Sequence, residues 1–475
     1  MTILLALLEA GSIFAIACAV ALAGIRLSPA HWMGITLVAG RSLALALSCV
    51  AAFYYNGLYD GRSLRSMGDV AARLPRALAT ALALLAAVYL VVPATRMEAA
   101  PFLASLLVAA MTLLTLRAIS GVVIRSRSFG ERVLILGTSP LAEKLVREIE
   151  TRHDARHHVV GIVADAPSPE TRFFPYPVLA PFDHLGRILE GARPDRVVVA
   201  MRERRGQLAV QQLLEARMRG VVIEEGVELY ERLTGKIAIE SLTPSGVIFG
   251  GGFRPGAISR ALGRGISLLV SVVGLVVLAP LFALIALAIT LDSRGPVVFR
   301  QERAGQGGRR FGLLKFRTMH PVEASPSEWA RDNDDRITRV GRWLRKFRLD
   351  ELPQFVNILR GDMNLVGPRP HPVRNYELFL ATVPYYALRA TVRPGVTGWA
   401  QVRYGYANNL EEETEKMRYD LYYIKHRSFG LDLRILLDTA KVVLLGRDRR
   451  AADVDNLGSP AGAHPTPLPL RVREE

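Results

Sequence analysis

The stretch Lys346-Phe-Arg-Leu-Asp-Glu-Leu-Pro-Gln-Phe-Val-Asn-Ile-Leu-Arg-Gly-Asp-Met-Asn-Leu-Val-Gly-Pro-Arg-Pro370 holds two adjacent acids, Asp350 and Glu351, bracketed by Lys346, Arg348, Arg360 and Arg369. Two neighbouring acids on their own commonly mark a solvated helix face. Here a helix-length segment follows them and leads into a loop in which Pro368 and Pro370 flank Arg369. The prolines fix the backbone around an arginine whose planar fork matches a phosphate. Cations close to carboxylates imply an anionic substrate, so this segment reads as an active site.

Outside this run the composition is that of a membrane protein. Of 475 residues, 50% are hydrophobic and the mean hydropathy is positive. Lys and Arg total 60 against 44 Asp and Glu, a net charge of +16 that suits anionic lipid, phosphorylated substrates or nucleic acid. No nucleic-acid-binding signature is present, and basic cytoplasmic loops explain much of the excess. Cys18 and Cys49 both lie in apolar stretches, which excludes a disulfide framework and a thiolate metal site. The histidines show no ligand spacing; His153, His157 and His158 read as surface loop.

Four apolar segments, at about 3–25, 35–56, 77–93 and 102–124, approach or reach the ~20 residues needed to cross a bilayer as helices. The first lacks a basic n-region and carries Glu9, so it reads as an uncleaved helix. Arg62, Arg65, Arg73 and Arg76 between the second and third segments, with Arg125, Arg127 and Arg132 after the fourth, face only Arg26 and Arg96 in the other connections. The positive-inside rule then puts both ends of the bundle in the cytoplasm. Arg41, inside the second segment, is expected to snorkel.

From 131 to 226, β-type runs (133–137, 159–164, 196–200 and 221–224) alternate with helical patterns, which predicts a small Rossmann-like, doubly wound α/β domain. Its first turn, Gly137-Thr-Ser-Pro-Leu-Ala142, has Ser139 where a dinucleotide fingerprint has the glycine that admits a pyrophosphate. Pro140 fits a helix start and Asp165 lies at the end of the second strand, so nucleotide binding stays open, while a structural or regulatory role is favoured over a redox cofactor.

A fifth apolar run, 266–291, is long enough to span, yet Arg254, Arg260 and Arg264 precede it and Arg294, Arg300, Arg303, Arg309 and Arg310 follow it. Basic flanks on both sides resist placing either end outside, and Pro280 near the middle kinks a helix. A re-entrant helix that enters the cytoplasmic leaflet and returns satisfies both; the alternative is a fifth full span.

The run 346–370, with Gln301-Glu-Arg-Ala-Gly-Gln-Gly-Gly-Arg-Arg-Phe-Gly-Leu-Leu-Lys-Phe-Arg-Thr-Met319 before it and Arg393-Pro-Gly-Val-Thr-Gly-Trp-Ala-Gln401 after it, resembles the bacterial polyprenyl-phosphate sugar-phosphate transferases, large multidomain branch, over roughly 255–445. The resemblance implies a monotopic enzyme on the cytoplasmic face of the bacterial inner membrane, moving a sugar phosphate from a UDP-sugar to undecaprenyl phosphate at the start of exopolysaccharide or O-antigen synthesis. It implies Asp350 as nucleophile, Glu351 as the Mg²⁺ ligand, and a broken re-entrant helix; Ala279 stands where members often carry Ser before the proline.

Lys315 and Arg317 alternate at strand spacing and predict a positive wall for phosphate, the alternative being a solvated edge strand. Arg303, in a Gly-rich segment, and Arg369 are further phosphate-binding candidates, with Pro368, Pro370 and Pro280 shaping the site. Asp362 reads as a turn or cap residue, and Tyr419, Tyr422 and Tyr423 as core or interfacial aromatics. The expected architecture is a membrane α-helical bundle plus α/β: a four-helix transmembrane domain (1–127), a Rossmann-like α/β domain (128–235), a linker (236–257), a mixed α/β catalytic domain (258–446) with the re-entrant helix, and a disordered tail (447–475). Membrane lipids are expected partners, and a homodimer through the membrane or α/β portions fits this layout. Two other function classes compete: a membrane-bound nucleotide-sugar dehydratase or epimerase, for which no Tyr-x-x-x-Lys is present, and a non-enzymatic assembly scaffold. No residue identifies the sugar.

Overall fold

A computed structural model of the chain describes residues 2–23, 32–59, 67–125, 130–151, 157–164, 176, 178, 182–201, 208–242, 244–249, 251–253, 256–320, 336–404, 407 and 409–445. The 447–475 tail, Asp165, His153, Arg26, Arg62, Arg65, Arg127 and Arg254 lie outside the described residues. The chain divides after Glu224 into two compact units.

In the first unit, the helices α1 (Thr2–Ala23), α2 (Trp32–Tyr55), α3 (Met67–Val91) and α4 (Ala99–Arg125) coincide with the four apolar segments. The start of α3 differs: it begins at Met67, not near 77, and runs through Pro75. Buried Val70 and the Arg73 guanidinium, which donates to the Gly57 carbonyl at 3.2 Å, hold these first turns although Pro75 offers no N–H. Ile13, Leu45, Phe53, Leu85 and Leu113 fill the bundle, while Leu47, Leu90, Leu103 and Leu107 stay exposed. Apolar residues all round a helix are the pattern of a membrane span. Deep among them Arg117 pairs with Glu9 at 3.0 Å and lies 5.1 Å from the Tyr59 ring, joining α4 to α1. Arg41 donates to the Ala94 carbonyl at 3.3 Å.

After α4 come β1 (Glu131–Leu136), α5 (Pro140–Thr151), β2 (His157–Val163), α6 (Leu185–Ala192), β3 (Arg196–Val199), α7 (Val210–Met218) and β4 (Val222–Glu225). They build a four-stranded sheet of order β2-β1-β3-β4 in which β1 is parallel to both neighbours. Leu134, Ile135 and Leu136 are wholly buried, as a strand covered on both faces requires. His157 and His158 open β2 and are not loop residues; they pair in register with Glu131 and Arg132 of β1.

The second unit begins with α8 (Gly226–Thr234) and α9 (Pro244–Phe249), followed by α10 (Ala257–Val277), α11 (Ala279–Asp292), β5 (Val298–Ala304), β6 (Arg310–Phe316), α12 (Arg339–Lys346), α13 (Gln354–Arg360), β7 (Asn364–Val366), α14 (Val373–Thr382), β8 (Gly395–Thr397), α15 (Trp399–Arg403), α16 (Leu410–His426) and α17 (Phe429–Leu445). The segment before α10 packs on the domain: Trp399 Nε1 donates to the Gly235 carbonyl at 2.9 Å, Lys236 pairs with Glu415 at 2.6 Å, and Lys425 and His426 clasp buried Glu231. Among the described residues four helices are long and apolar enough to cross a membrane, α2, α3, α4 and α10; α1 and α11 contribute shorter apolar stretches.

The fifth apolar run is broken at Leu278, between α10 and α11, with Pro280 in the first turn of α11. Both arms hold the same domain. On α10, Arg264 donates to the Ile358 and Met363 carbonyls at 2.7 and 2.8 Å, and Ser267 Oγ accepts from the Leu365 N–H. On α11, Ile285 and Ile289 pack with Phe316 and Leu344, and Asp292 accepts from the Val340 N–H at 3.0 Å. Their other faces expose Leu269, Val276, Val277, Leu284, Leu287 and Leu291. Strands β5 and β6 form an antiparallel hairpin whose turn uses positive φ at Gly307 and Gly308. Ile358, Met363, Phe379, Tyr386, Tyr419 and Tyr423 build the core, and Tyr422 stacks on Trp399.

Candidate active site

The acids sit where a short helix is forced to stop. Thr338 Oγ1 accepts from the Gly341 N–H and starts α12; at its other end Arg348 takes a left-handed conformation (φ 54°) and turns the chain into the 3₁₀ turn Leu349–Glu351. A non-glycine residue held there costs about 1–2 kcal/mol. Asp350 and Glu351 therefore do not lie on an α-helix; successive side chains of a three-residue turn diverge by about 120°, which still aims the two acids apart. Each is 9% exposed.

Their surroundings separate them chemically. Glu351 Oε1 accepts from Arg369 at 2.8 Å, and its other oxygen lies 3.9 Å from Arg348. Burial alone would push this carboxyl up, but Arg369, Lys315 and Arg348 outweigh it and hold the group at about 2. Asp350 moves the other way: burial and the Glu351 charge raise it above the ordinary carboxylate value against the pull of Lys315, Arg369 and Arg345. Burial, then the Arg369 charge, pushes Lys315 down to about 8 despite Glu351. Side by side stand a permanently charged acid and a more basic one, the arrangement in which one binds and the other reacts.

The Pro368-Arg369-Pro370 loop is gripped from behind. The Pro368 carbonyl accepts from the Gly395 N–H, Arg369 from the Arg389 guanidinium, Pro370 from Arg303 and His371 from the Ala304 N–H, at 2.8 to 3.2 Å. Arg389 is itself buried against Asp420 at 2.7 Å and bonds Tyr386 Oη and His371 Nδ1. Burial and the Arg389 charge press His371 down to about 3, so it is a neutral ring, with Nε2 2.9 Å from Glu413. None of this inner layer was singled out from sequence; a lone His and the acids of α16 carry no local signal.

The expected site residues thus separate. Asp350, Glu351, Lys315 and Arg369 come together, with Pro368 and Pro370 fixing the loop. Arg303 lies near Lys315 but braces the Pro370 carbonyl and Gln301. Arg317 lies past the end of β6 and turns away from the acids: its guanidinium donates to the Pro296 and Ser293 carbonyls at 2.6 and 2.7 Å. Strand alternation misplaced it because the strand stops at Phe316. Pro280 marks the helix break. Arg345, which bonds Thr318 Oγ1 and acts on Asp350, joins the cationic group unannounced.

The family model described as bacterial sugar transferase matches residues 258–446, which contain all of these side chains. The exopolysaccharide production protein PSS of Rhizobium leguminosarum bv. phaseoli is 40% identical over 185 residues, 38% of this chain and 92% of that protein. The chain belongs to the bacterial sugar transferase family. Two further relatives are similar over part of the chain. The UDP-N-acetylgalactosamine-undecaprenyl-phosphate N-acetylgalactosaminephosphotransferase of Aeromonas hydrophila is 41% identical over 46% of this chain and 51% of its own length. The UDP-glucose:undecaprenyl-phosphate glucose-1-phosphate transferase of Caulobacter vibrioides is 49% identical over 35% of this chain and 63% of its own. This chain thus spans between half and two thirds of the length of these two relatives.

A second model, described as a CoA-binding domain, matches 55–222. The first turn of its sheet is tightly packed among the described residues. At the carboxyl ends of β1 and β3, Ser139 Oγ donates to the Ala200 carbonyl, and a Cβ on Gly137 would meet Met201 and Ala200 within 3.0 Å.

Proposed function

We propose that this sugar transferase moves a sugar 1-phosphate from a UDP-sugar to undecaprenyl phosphate, the first membrane step of exopolysaccharide or O-antigen synthesis. The observation that carries this is the placing of Asp350, 9% exposed, beside Glu351 and within the field of Lys315, Arg369 and Arg345. An Asp350 oxygen attacks the phosphorus attached to the sugar; the bond from that phosphorus to the bridging oxygen breaks and UMP leaves. An oxygen of undecaprenyl phosphate then attacks the same phosphorus, the bond to Asp350 breaks, and the polyprenyl diphosphate sugar forms. Lys315 and Arg369 offset charge on the leaving and entering phosphates. Mg²⁺ fits this donor set. Among the described residues no three acids, histidines or cysteines gather, and this ion takes one or two carboxylates plus substrate phosphates. Glu351, charged over the whole working range, would hold it, exchanging its Arg369 partner for metal; when bound the ion neutralises diphosphate charge.

The re-entrant placement of α10 and α11 is supported by both arms holding one domain around a proline break while apolar faces remain outward. The positive-inside orientation argued from Arg62, Arg65, Arg73, Arg76, Arg125, Arg127 and Arg132 supports a cytoplasmic site. The similar proteins are named for N-acetylgalactosamine, glucose and galactose, so the family leaves the sugar open. The test is UMP release by nanodisc-held protein with Mg²⁺, undecaprenyl phosphate and a panel of UDP-sugars. Release with one sugar, abolished by Asp350→Asn, is expected; an Asp350→Asn protein as active as wild type sinks the covalent route.

A further inference from the structure

Asn357 is fully buried on α13 and none of the chemistry above uses it. Its Oδ1 accepts from the Leu314 N–H at 3.0 Å and its Nδ2 donates to the Gly312 carbonyl at 2.8 Å, both on β6. Residues 312 and 314 point their backbone groups off the same edge of the strand, and one carboxamide spans them as a residue of a parallel neighbouring strand would. Among the described residues the β5–β6 hairpin has no third strand, so this side chain closes an edge that sheet pairing leaves open.

We propose that Asn357 is a positioning residue that sets β6, and through it Lys315, against the turn carrying Asp350 and Glu351; this rests on the transferase reading above. Lys315 follows Leu314 directly, and Asp350 and Glu351 lie just before α13 on the same stretch of chain. Helix α13 is already fixed on α10, because Arg264 holds the Ile358 and Met363 carbonyls. The carboxamide is thus the tie between a fixed helix and the strand that delivers the cation. Its chemistry admits no substitute of the same size: the group must accept and donate at once, and an ionised carboxylate cannot donate. Asp362 enforces the orientation, since its Oδ2 accepts from Nδ2 at 3.2 Å and its N–H donates to the Asn357 carbonyl.

The test uses full-length protein in nanodiscs, comparing wild type with Asn357→Ala, Asn357→Asp and Asp362→Ala. First, hydrogen exchange at 312–316 is read without any substrate. Faster exchange there, with that of α16 unchanged, is expected for each variant; unchanged exchange overturns the proposal even if no protein proves active. Second, kcat/KM for the UDP-sugar is expected to fall about tenfold or more in the Asn357 variants, and less in Asp362→Ala. Lys315, pushed down to about 8 by burial and the Arg369 charge, predicts an alkaline limb of activity, which should move upward as the loosened strand lets water reach the amine. A merely structural role lowers the melting temperature and leaves that limb in place. Folded variants within threefold of wild type, with an unmoved limb, contradict the proposal, and Asp362→Ala carries the same comparison if the Asn357 variants do not fold. An inactive wild type counts against the transferase reading and leaves the exchange result to decide this one.

Discussion

At the scale of single residues, the site works by splitting two adjacent acids. Glu351 is held near 2 in the folded protein against an ordinary value of 4.5, so the unfolded chain binds its proton first. Its contribution to stability is fully present above pH 4.5 and is lost as pH falls through about 2. Replacing Glu351 with Gln should therefore lower stability on the order of 2 kcal/mol near pH 7, between the values for exposed and buried pairs. The gap to wild type should close as the solution is acidified from pH 4.5 towards 2, which thermal melts in nanodiscs over a pH series would show. A gap that is constant with pH would mean that Glu351 acts by packing. Asp350 and Glu351 were legible in sequence because charge, proline and spacing sit in one short stretch. Arg317 was misread for the same local reason: alternation says which face a side chain leaves, not where the strand ends. Arg389, His371, Asp420 and Asn357 were invisible, since Asp420 lies 31 residues from Arg389, Arg389 18 from His371 and Gly312 45 from Asn357.

At the scale of elements, the broken helix and the braced loop do the positioning. Hydrophobic length and the period of the β runs were enough to place α1, α2, α4 and the parallel sheet to within a few residues. They failed at α3, whose first turns are kept by Val70 and Arg73 across Pro75. Pro280 was readable as a kink. That α10 and α11 both return to one domain depends on Arg264, Ser267 and Asp292, polar residues that carry no such signal in sequence. A cysteine introduced as Arg300→Cys, just after α11, should stay unreactive to an impermeant thiol reagent added from the periplasmic side and react once the membrane is opened. Labelling from the periplasm would make 257–292 a full span and move Asp350 away from cytoplasmic nucleotide sugars.

At the scale of the whole molecule, two units carry different work. The first combines apolar helices with a sheet whose carboxyl edge is closed by Ser139 and Met201 among the described residues. The 137–142 turn lacks the second glycine of a dinucleotide fingerprint, and the model described as a CoA-binding domain matches over 55–222. The second gathers Asp350, Glu351, Lys315 and Arg369 on a domain that both arms of a broken apolar helix hold; in the proposed reaction this brings a nucleotide sugar and a lipid phosphate to one carboxylate. The covalent step is the centre of this reading. The most direct measurement is the intact mass of the protein mixed with its UDP-sugar and Mg²⁺, with undecaprenyl phosphate withheld. A sugar-phosphate adduct mapped to Asp350, absent in Asp350→Asn and discharged when undecaprenyl phosphate is added, is the expected result. Stoichiometric product formation with no adduct at any point, and with Asp350→Asn still active, would contradict it.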